Sequence, residues 1–316
     1  MDAAITVDGI RDAAAVIDPV FLRTPQFVCE PLSKRTGVDT VLKVESVNPI
    51  RSFKGRGADY LLHRLGPDAR PIVCASAGNF GQGMAYACRK RGVKLTVFAA
   101  HTASPLKLER MRELGAKVEL EVGDFDQAKD AARRHAGKTG ELFIEDGKVG
   151  AIGEGAGTIA LELTQDSEPL DAVFVPLGNG SLANGIGTWI KSESPHTRVI
   201  AVCAAAAPSM ALSFDARRPL DAPANTIADG IAVRVPVPEA VTAMAQTVDE
   251  VMLVDDELMA VSMRRLMHEA GLVIEPAGAA GVAAIAQRAR DYAGKRVAAI
   301  LTGGNLTADQ VKSWLY

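Results

Sequence analysis

A chain of 316 residues, 48% hydrophobic and 23% charged, can bury a large core, and its length points to two domains. With 35 basic and 38 acidic side chains the formal charge is −3, without basic runs, and aromatics are only 5%, so neither a nucleic-acid nor a membrane partner is expected. Cys29, Cys74, Cys88 and Cys203 lie far apart with no C-x-x-C pair, which fits a reducing compartment without structural zinc.

The start, Met1-Asp2-Ala3-Ala4-Ile5, lacks the basic region and apolar core of a secretory signal. Apolar positions at helical spacing over 5–18 predict an amphipathic helix that stops before Pro19. After a turn at Arg23-Thr24-Pro25, alternation over 41–47 predicts a strand, and 58–65 carries a helical pattern. Between them, Asn48-Pro49-Ile50-Arg51-Ser52-Phe53-Lys54-Gly55-Arg56-Gly57-Ala58 puts one amine, Lys54, on a strand-to-helix turn.

From Pro71, strands 72–75, 94–99, 117–122 and 142–145 alternate with helices 81–91, 104–114 and 124–136, the pattern of parallel β-α-β units. Gly92 and Gly115 suit helix C-caps, and Ser104-Pro105 suits an N-cap followed by proline. The glycine cluster 147–157 interrupts the pattern. A second series follows: helix 158–164, strand 172–176, helix 182–191, strand 198–203, helix 238–246, strand 251–254, two helices and strand 296–301. The alanine-rich stretch 201–212 is broken by Pro208, is too short to span a bilayer, and reads as a buried strand and its following loop. The loop 208–234 is too long for a mere connection and is expected to border the active site. Periodicity by itself divides the chain near residue 147.

Two glycine-rich loops give Lys54 a context. Ser76-Ala77-Gly78-Asn79-Phe80-Gly81-Gln82-Gly83 follows one apolar run, Gly178-Asn179-Gly180-Ser181-Leu182 follows another, and each precedes a helical segment. Such turns bind anions, because unpaired N–H groups and the helix dipole point at the ligand. A lysine with two anion-binding turns suits an aldehyde cofactor that carries a phosphate. From the residues alone, Lys54 as a solvated amine, Asn79 as a helix N-cap and Thr302 as a strand-end cap stay open beside these roles.

The run Ser52-Phe53-Lys54-Gly55-Arg56-Gly57-Ala58 resembles the S-F-K-x-R-G-A motif of pyridoxal-phosphate enzymes of the tryptophan-synthase-β type (fold type II), in the threonine/serine dehydratase branch. Ala75-Ser76-Ala77-Gly78-Asn79, Thr226-Ile227-Ala228-Asp229-Gly230-Ile231-Ala232, Glu275-Pro276-Ala277-Gly278-Ala279 and Thr302-Gly303-Gly304-Asn305 resemble the branch's later motifs in the same order. The resemblance implies an α/β fold of two domains, each an open, mostly parallel sheet flanked by helices, with pyridoxal 5'-phosphate in the cleft between them. Residues 1–51 and 147–316 would form the large cofactor-binding domain and 52–146 a small mobile one.

By the same resemblance Lys54 is the Schiff-base lysine and, once displaced, the base that takes the α-proton. Gly178, Asn179, Gly180, Ser181 and Leu182 cradle the phosphate; relatives often read G-G-G-G-L, so Asn179 and Ser181 are departures. Ser76, Ala77, Gly78 and Asn79 form the substrate-carboxylate loop, Asn79 also donating to the cofactor's phenolic oxygen, and Phe80 stands where a histidine is common. Thr302 falls beside the pyridine nitrogen, where a hydroxyl cannot enforce protonation as an aspartate would, which favours loss of a β-leaving group over transamination. Glu275 and Gly230 complete the pocket, although a carboxylate before Pro276 also suits a helix start.

Serine racemases of the branch carry a second serine base where this chain has Ala77, so dehydration is expected over racemisation. Members that bind a metal beside the cofactor use a glutamate at the position of Cys203, so no such metal is expected. The regulatory domain that follows the last motif in biosynthetic threonine dehydratases has no counterpart here, and end-product feedback is not expected. The implied activity is that of an ammonia-lyase (dehydratase) acting on L-threonine or L-serine by α,β-elimination, in a cytoplasmic homodimer. A β-replacement synthase, an amino-acid racemase and a non-catalytic phosphate-binding module are the alternatives. Arg51, where the branch usually has glycine, either pairs with a substrate side-chain carboxylate, as in 3-hydroxyaspartate, or lies on the surface.

Overall fold

The computed structural model describes residues 4–165 and 168–316, so the first three residues of the start considered above for a secretory signal lie outside it. Helix α1 (Val7–Val16) is two residues shorter at each end than its apolar period, because the Thr6 side chain caps Gly9 N–H and Ile17 is already extended. Strand β1 (Gln26–Val28), helix α2 (Glu30–Thr36) and strand β2 (Asp39–Val44) follow, with α2 closed by Gly37 at φ 71°.

Helix α3 (Lys54–Leu65) begins four residues before the helical pattern at 58. The early start has a local cause. Asn48 Oδ1 accepts from Ile50 and Ser52 N–H (both 3.2 Å), and its Nδ2 donates to Glu45 and Ser52 carbonyls (2.9 and 3.1 Å), which folds the approach into a tight turn. Strand β3 (Ile72–Ala75), helix α4 (Asn79–Arg91), strand β4 (Leu95–Ala100), helix α5 (Pro105–Glu113), strand β5 (Lys117–Glu121), helix α6 (Phe125–Thr139) and strand β6 (Leu142–Ile144) build a four-stranded parallel sheet in the order β5-β4-β3-β6. Gly92, at φ 67°, closes α4 as its position suggested.

The remainder comprises helix α7 (Gly150–Gln165), strand β7 (Ala172–Pro176), helix α8 (Ser181–Glu193), strand β8 (Arg198–Ala204), helix α9 (Ser209–Ala216), helix α10 (Pro238–Thr247), strand β9 (Glu250–Val254), helices α11 (Asp256–Ala270) and α12 (Pro276–Gln287), strand β10 (Arg296–Leu301) and helix α13 (Ala308–Leu315). Its sheet has six strands in the order β1-β2-β10-β7-β8-β9, parallel except for β1. The second strand thus pairs with the last, with the first strand on its outer edge, which a division by periodicity near residue 147 misses. Alternate residues fill the two faces of this sheet: Val44, Phe174, Val202 and Leu301 pack towards α11 and α12, while Val41, Val173, Ala201 and Ile300 pack towards α7, α8 and α10.

Two sequence readings are corrected. The glycine cluster 147–157 is no interruption, since from Gly150 it is the first half of α7. Its glycines let helices touch backbone to backbone: a Cβ on Gly155 would lie 2.6 Å from Gly57 Cα in α3, and one on Gly157 would lie 2.9 Å from the Gly185 carbonyl in α8. The stretch after Pro208 is also not all loop. Helix α9 starts there, with Ser209 Oγ donating to the Val233 carbonyl (2.6 Å) and Ser213 Oγ accepting from Leu220 N–H (2.9 Å), which fastens the irregular segment that follows.

Candidate active site

The carboxyl ends of β3, β6, β7 and β10 open onto one cavity of about 880 Å³. Every residue assigned to the site from sequence lines it: Lys54, the loop Ser76, Ala77, Gly78 and Asn79, the loop 178–182, Gly230, Glu275 and Thr302. The irregular segment after α9 contributes Asp221 to Asn225 and Asp229 to Val235, so the long connection does border the cavity.

Lys54 is the first residue of α3, held there by Phe53 N–H, which donates to the Thr302 carbonyl (3.1 Å), and by a bridge between Ser52 and Gly303. Its Nζ lies 4.7 Å from the Phe53 ring centroid and 5.9 Å from that of Phe80, two apolar walls whose faces attract a cation. It donates to Asp146 Oδ2 at 2.6 Å. Asp146 follows β6 and is 8% exposed; its Oδ1 accepts from Ser181 Oγ (2.7 Å), which in turn accepts from Gly147 N–H (2.9 Å).

Across the cavity the loop 178–183 has the character of an oxyanion cradle. No N–H group of residues 178–183 donates to a backbone carbonyl among the described residues, and the first helical bond of α8 runs from Asn184 N–H to the Gly180 carbonyl. Six amides at the N-terminus of a 13-residue helix suit a phosphate. Gly180 needs its lack of a side chain, being at φ 95°, and a Cβ on Gly178 would lie 2.9 Å from the Gly230 carbonyl. The departures Asn179 and Ser181 leave the cradle open, and Ser181 spends its hydroxyl on Asp146.

In the other loop, Ser76 Oγ accepts from Gly78 and Gly81 N–H (3.2 and 2.8 Å) and so caps α4, whereas the N–H groups of Ala77, Asn79 and Phe80 find no backbone acceptor among the described residues. Asn79 is the first residue of α4 and not its N-cap, a place held by Gly78. Its Nδ2 donates to Glu275 Oε1 (2.6 Å) and its Oδ1 accepts from Asn305 Nδ2 (2.9 Å). Glu275 Oε2 accepts from Asn305 N–H (3.2 Å). Burial holds the Glu275 carboxyl above the usual carboxylate range; Lys107 pulls it back and the charge of Asp229 pushes it further up. Thr302 lines the cavity with a hydroxyl that no described residue engages.

Sequence reasoning missed Lys107 and Asp146. Lys107, in α5, is 4% exposed, donates to Asp229 Oδ2 and stands 4.0 Å from Glu275 Oε2. Burial alone would lower its pKa, but the two carboxylates outweigh it and hold the ammonium above the ordinary lysine value. A signal was present, since Lys107, Leu108 and Met111 share the buried side of a helix that the sequence delimits. Asp146 could have been found by analogy, standing just past its strand as Ser76 stands past β3 and Gly178 past β7.

Two residues singled out from sequence are not brought to the cavity. Arg51 is exposed, sits at φ 51°, engages Gly304 N–H through its carbonyl (3.1 Å) and is not among the residues that line the cavity. Cys203 is buried in β8, its thiol pushed up to about 12 by burial and directed at the Leu177 carbonyl.

An α/β fold of two open sheets, with a lysine and a bed of free amides meeting at their strand ends, defines an enzyme built for a phosphate-bearing carbonyl cofactor. The chain belongs to the pyridoxal-phosphate dependent enzyme family, whose model matches residues 17–303. It is 36% identical over 310 residues to the L-threonine ammonia-lyase of Thermotoga maritima, covering 97% of this chain and 77% of that protein. Among solved structures it is similar to maize serine racemase, with a TM-score of 0.91 at 26% identity, covering 98% of this chain and 96% of that one. The processed form of threonine deaminase isoform 2 from Solanum lycopersicum superimposes with a TM-score of 0.89 at 27% identity, over 99% and 94% of the two chains. Among the described residues no helix is long and apolar enough to cross a membrane.

Proposed function

We propose that this protein is a pyridoxal-phosphate-dependent ammonia-lyase that removes water from a β-hydroxy amino acid of the threonine or serine type and releases a 2-oxo acid and ammonia. The observation that carries this reading is the Lys54 amine at the head of α3, in one cavity with the unspent amides of residues 178–183. Bound there, the cofactor supplies an electron-withdrawing ring that makes the α-hydrogen of an amino acid removable.

The chain's own groups supply the rest. Gly178, Asn179, Gly180, Ser181 and Leu182 would hold the phosphate, and Lys54 would hold the aldehyde end and, with its amine free, would take the α-proton. The free N–H groups of Ala77 and Asn79 receive the substrate carboxylate. The Thr302 hydroxyl, which lines the cavity, would face the ring nitrogen and offer a hydrogen bond without a full charge. Asn79 and Glu275 brace each other at 2.6 Å and would hold that side of the ring. Ala77 offers a methyl group where stereoinversion would need a second base, which leaves elimination.

Incubation of the cofactor-loaded protein with L-threonine and with L-serine should yield 2-oxobutyrate and pyruvate. A protein that stays colourless with pyridoxal phosphate, or that gives no oxo acid from either amino acid, rejects the reading. We further infer a homodimer working in a reducing compartment, with residues 52–146 moving as a unit. Light scattering after size-exclusion chromatography tests the dimer.

A further inference from the structure

We propose that Asp146 is a second catalytic residue of this reaction, accepting from Lys54 the proton taken from Cα and delivering it to the departing β-substituent. This assignment rests on the elimination chemistry proposed above. Hydroxide is a poor leaving group and must depart as water, so some acid has to protonate it while the bond to Cβ breaks.

The cavity wall narrows the choice of acid. Among the described residues no histidine, cysteine or tyrosine lines it, and most of its carboxyl groups are engaged elsewhere. Glu275 is held by Asn79 and Asn305, Glu145 by Arg133 and Lys129, Asp124 and Asp126 by Arg234, and Asp229 by Lys107. Asp221 is exposed on the irregular segment after α9.

Asp146 differs from these in having the catalytic amine itself as its partner, with Oδ2 at 2.6 Å from Lys54 Nζ. When Lys54 acts as the base, that oxygen has no other cationic partner among the described residues, while Ser181 still fixes the other one. At 8% exposure, bulk water has little access to it. A buried carboxylate, oriented by one hydrogen bond and left with one open oxygen beside a proton-accepting amine, is placed to pass a proton on. The step balances: the Cα–H bond breaks, its proton moves from Nζ to Oδ2 and on to the β-oxygen, the C–O bond breaks, and water leaves. Lys54 and Asp146 both return to their starting charges.

Asp146→Asn and Asp146→Glu in the loaded enzyme test this with two substrates, L-serine and β-chloro-L-alanine, whose chloride departs without a proton. The asparagine variant is expected to keep the visible band of the cofactor link and to exchange the α-hydrogen of serine with deuterated water by NMR. Its pyruvate formation from serine should fall about 100-fold or more, while elimination of chloride stays within about tenfold of wild type. Asp146→Glu, which keeps the acid, should recover part of the serine activity.

Equal losses on both substrates would overturn the proposal, leaving Asp146 as a support for Lys54, and so would full activity on serine. Should Asp146→Asn fail to bind cofactor, Ser181→Ala keeps both charges but frees the carboxylate, and it must show the same serine-selective loss. Failure of the site reading looks different, with neither substrate giving oxo acid in the wild-type enzyme.

Discussion

Arg56, two residues after Lys54, has no exposed surface and carries the charge that holds the head of α3. Its guanidinium donates to Glu45 at 2.8 and 2.9 Å and to Glu162 at 2.6 and 3.0 Å, and Lys43 Nζ donates to Glu162 at 2.6 Å. Removing the cation strands the buried Glu45 carboxylate and leaves Glu162 with Lys43 alone, so Arg56→Met should cost about 3–5 kcal/mol in urea unfolding and loosen Lys54 with it. Burial alone would raise the Glu162 carboxyl, but Arg56 and then Lys43 hold it down, from 4.5 to about 2. A depressed folded-state value means that this stability, about 3 kcal/mol, is fully present above pH 4.5 and is lost as pH falls towards 2. Glu162→Gln should be less stable at neutral pH and should show a shallower fall across that window in acid unfolding followed by circular dichroism. The motif around Lys54 was legible because its residues are neighbours in the chain. The cluster was not, since Glu162 lies 106 residues from Arg56 and 119 from Lys43, and Lys43 looks like any polar residue of an alternating strand.

Helix α7 shows how an element can be hidden by its own composition. Five glycines at 147, 150, 153, 155 and 157 suggest a break, since glycine is costly inside a helix by about 1 kcal/mol relative to alanine. Tertiary packing overrides that cost, because only glycine lets α1, α3 and α8 lie against this face. Gly155→Ala puts a methyl 2.6 Å from Gly57 Cα and 2.7 Å from the Arg56 carbonyl, backbone atoms that move only if α3 moves. Unfolding should show a loss of about 1–3 kcal/mol, and kcat should fall with it, because Lys54 rides on α3. Gly137 supplies the contrast: it lies in α6 with nothing within 4 Å of an added Cβ, so Gly137→Ala should stabilise by up to about 1 kcal/mol and leave turnover unchanged. Strands and helices with ordinary periods were legible to within a few residues, as β7 and β10 show, whereas local pattern says nothing of which strands pair, as β2 beside β10 shows.

At the scale of the molecule, the mouth of the cavity is crossed by ion pairs between the segment carrying the four-stranded sheet and the rest of the chain. Arg234, on the irregular segment after α9, meets Asp124 (3.5 Å) and Asp126 (2.5 Å) at the start of α6, and all three line the cavity. All are partly solvated, so each contributes at most about 1 kcal/mol to stability and weakens with salt. Their place matters more than their strength, because a free-energy difference of that size changes how often the mouth opens by about two- to fivefold. Arg234→Ala should therefore keep the wild-type unfolding midpoint to within about 1 kcal/mol in urea. Hydroxylamine, a small uncharged reagent that captures the cofactor aldehyde, should nevertheless bleach its visible band about two- to fivefold faster than in wild type. Added sodium chloride should speed the wild-type reaction towards that of the variant and leave the variant nearly unaffected. Equal bleaching rates at low salt would show that the pairs do not guard the opening and that access to Lys54 is set by the apolar walls, Phe53 and Phe80.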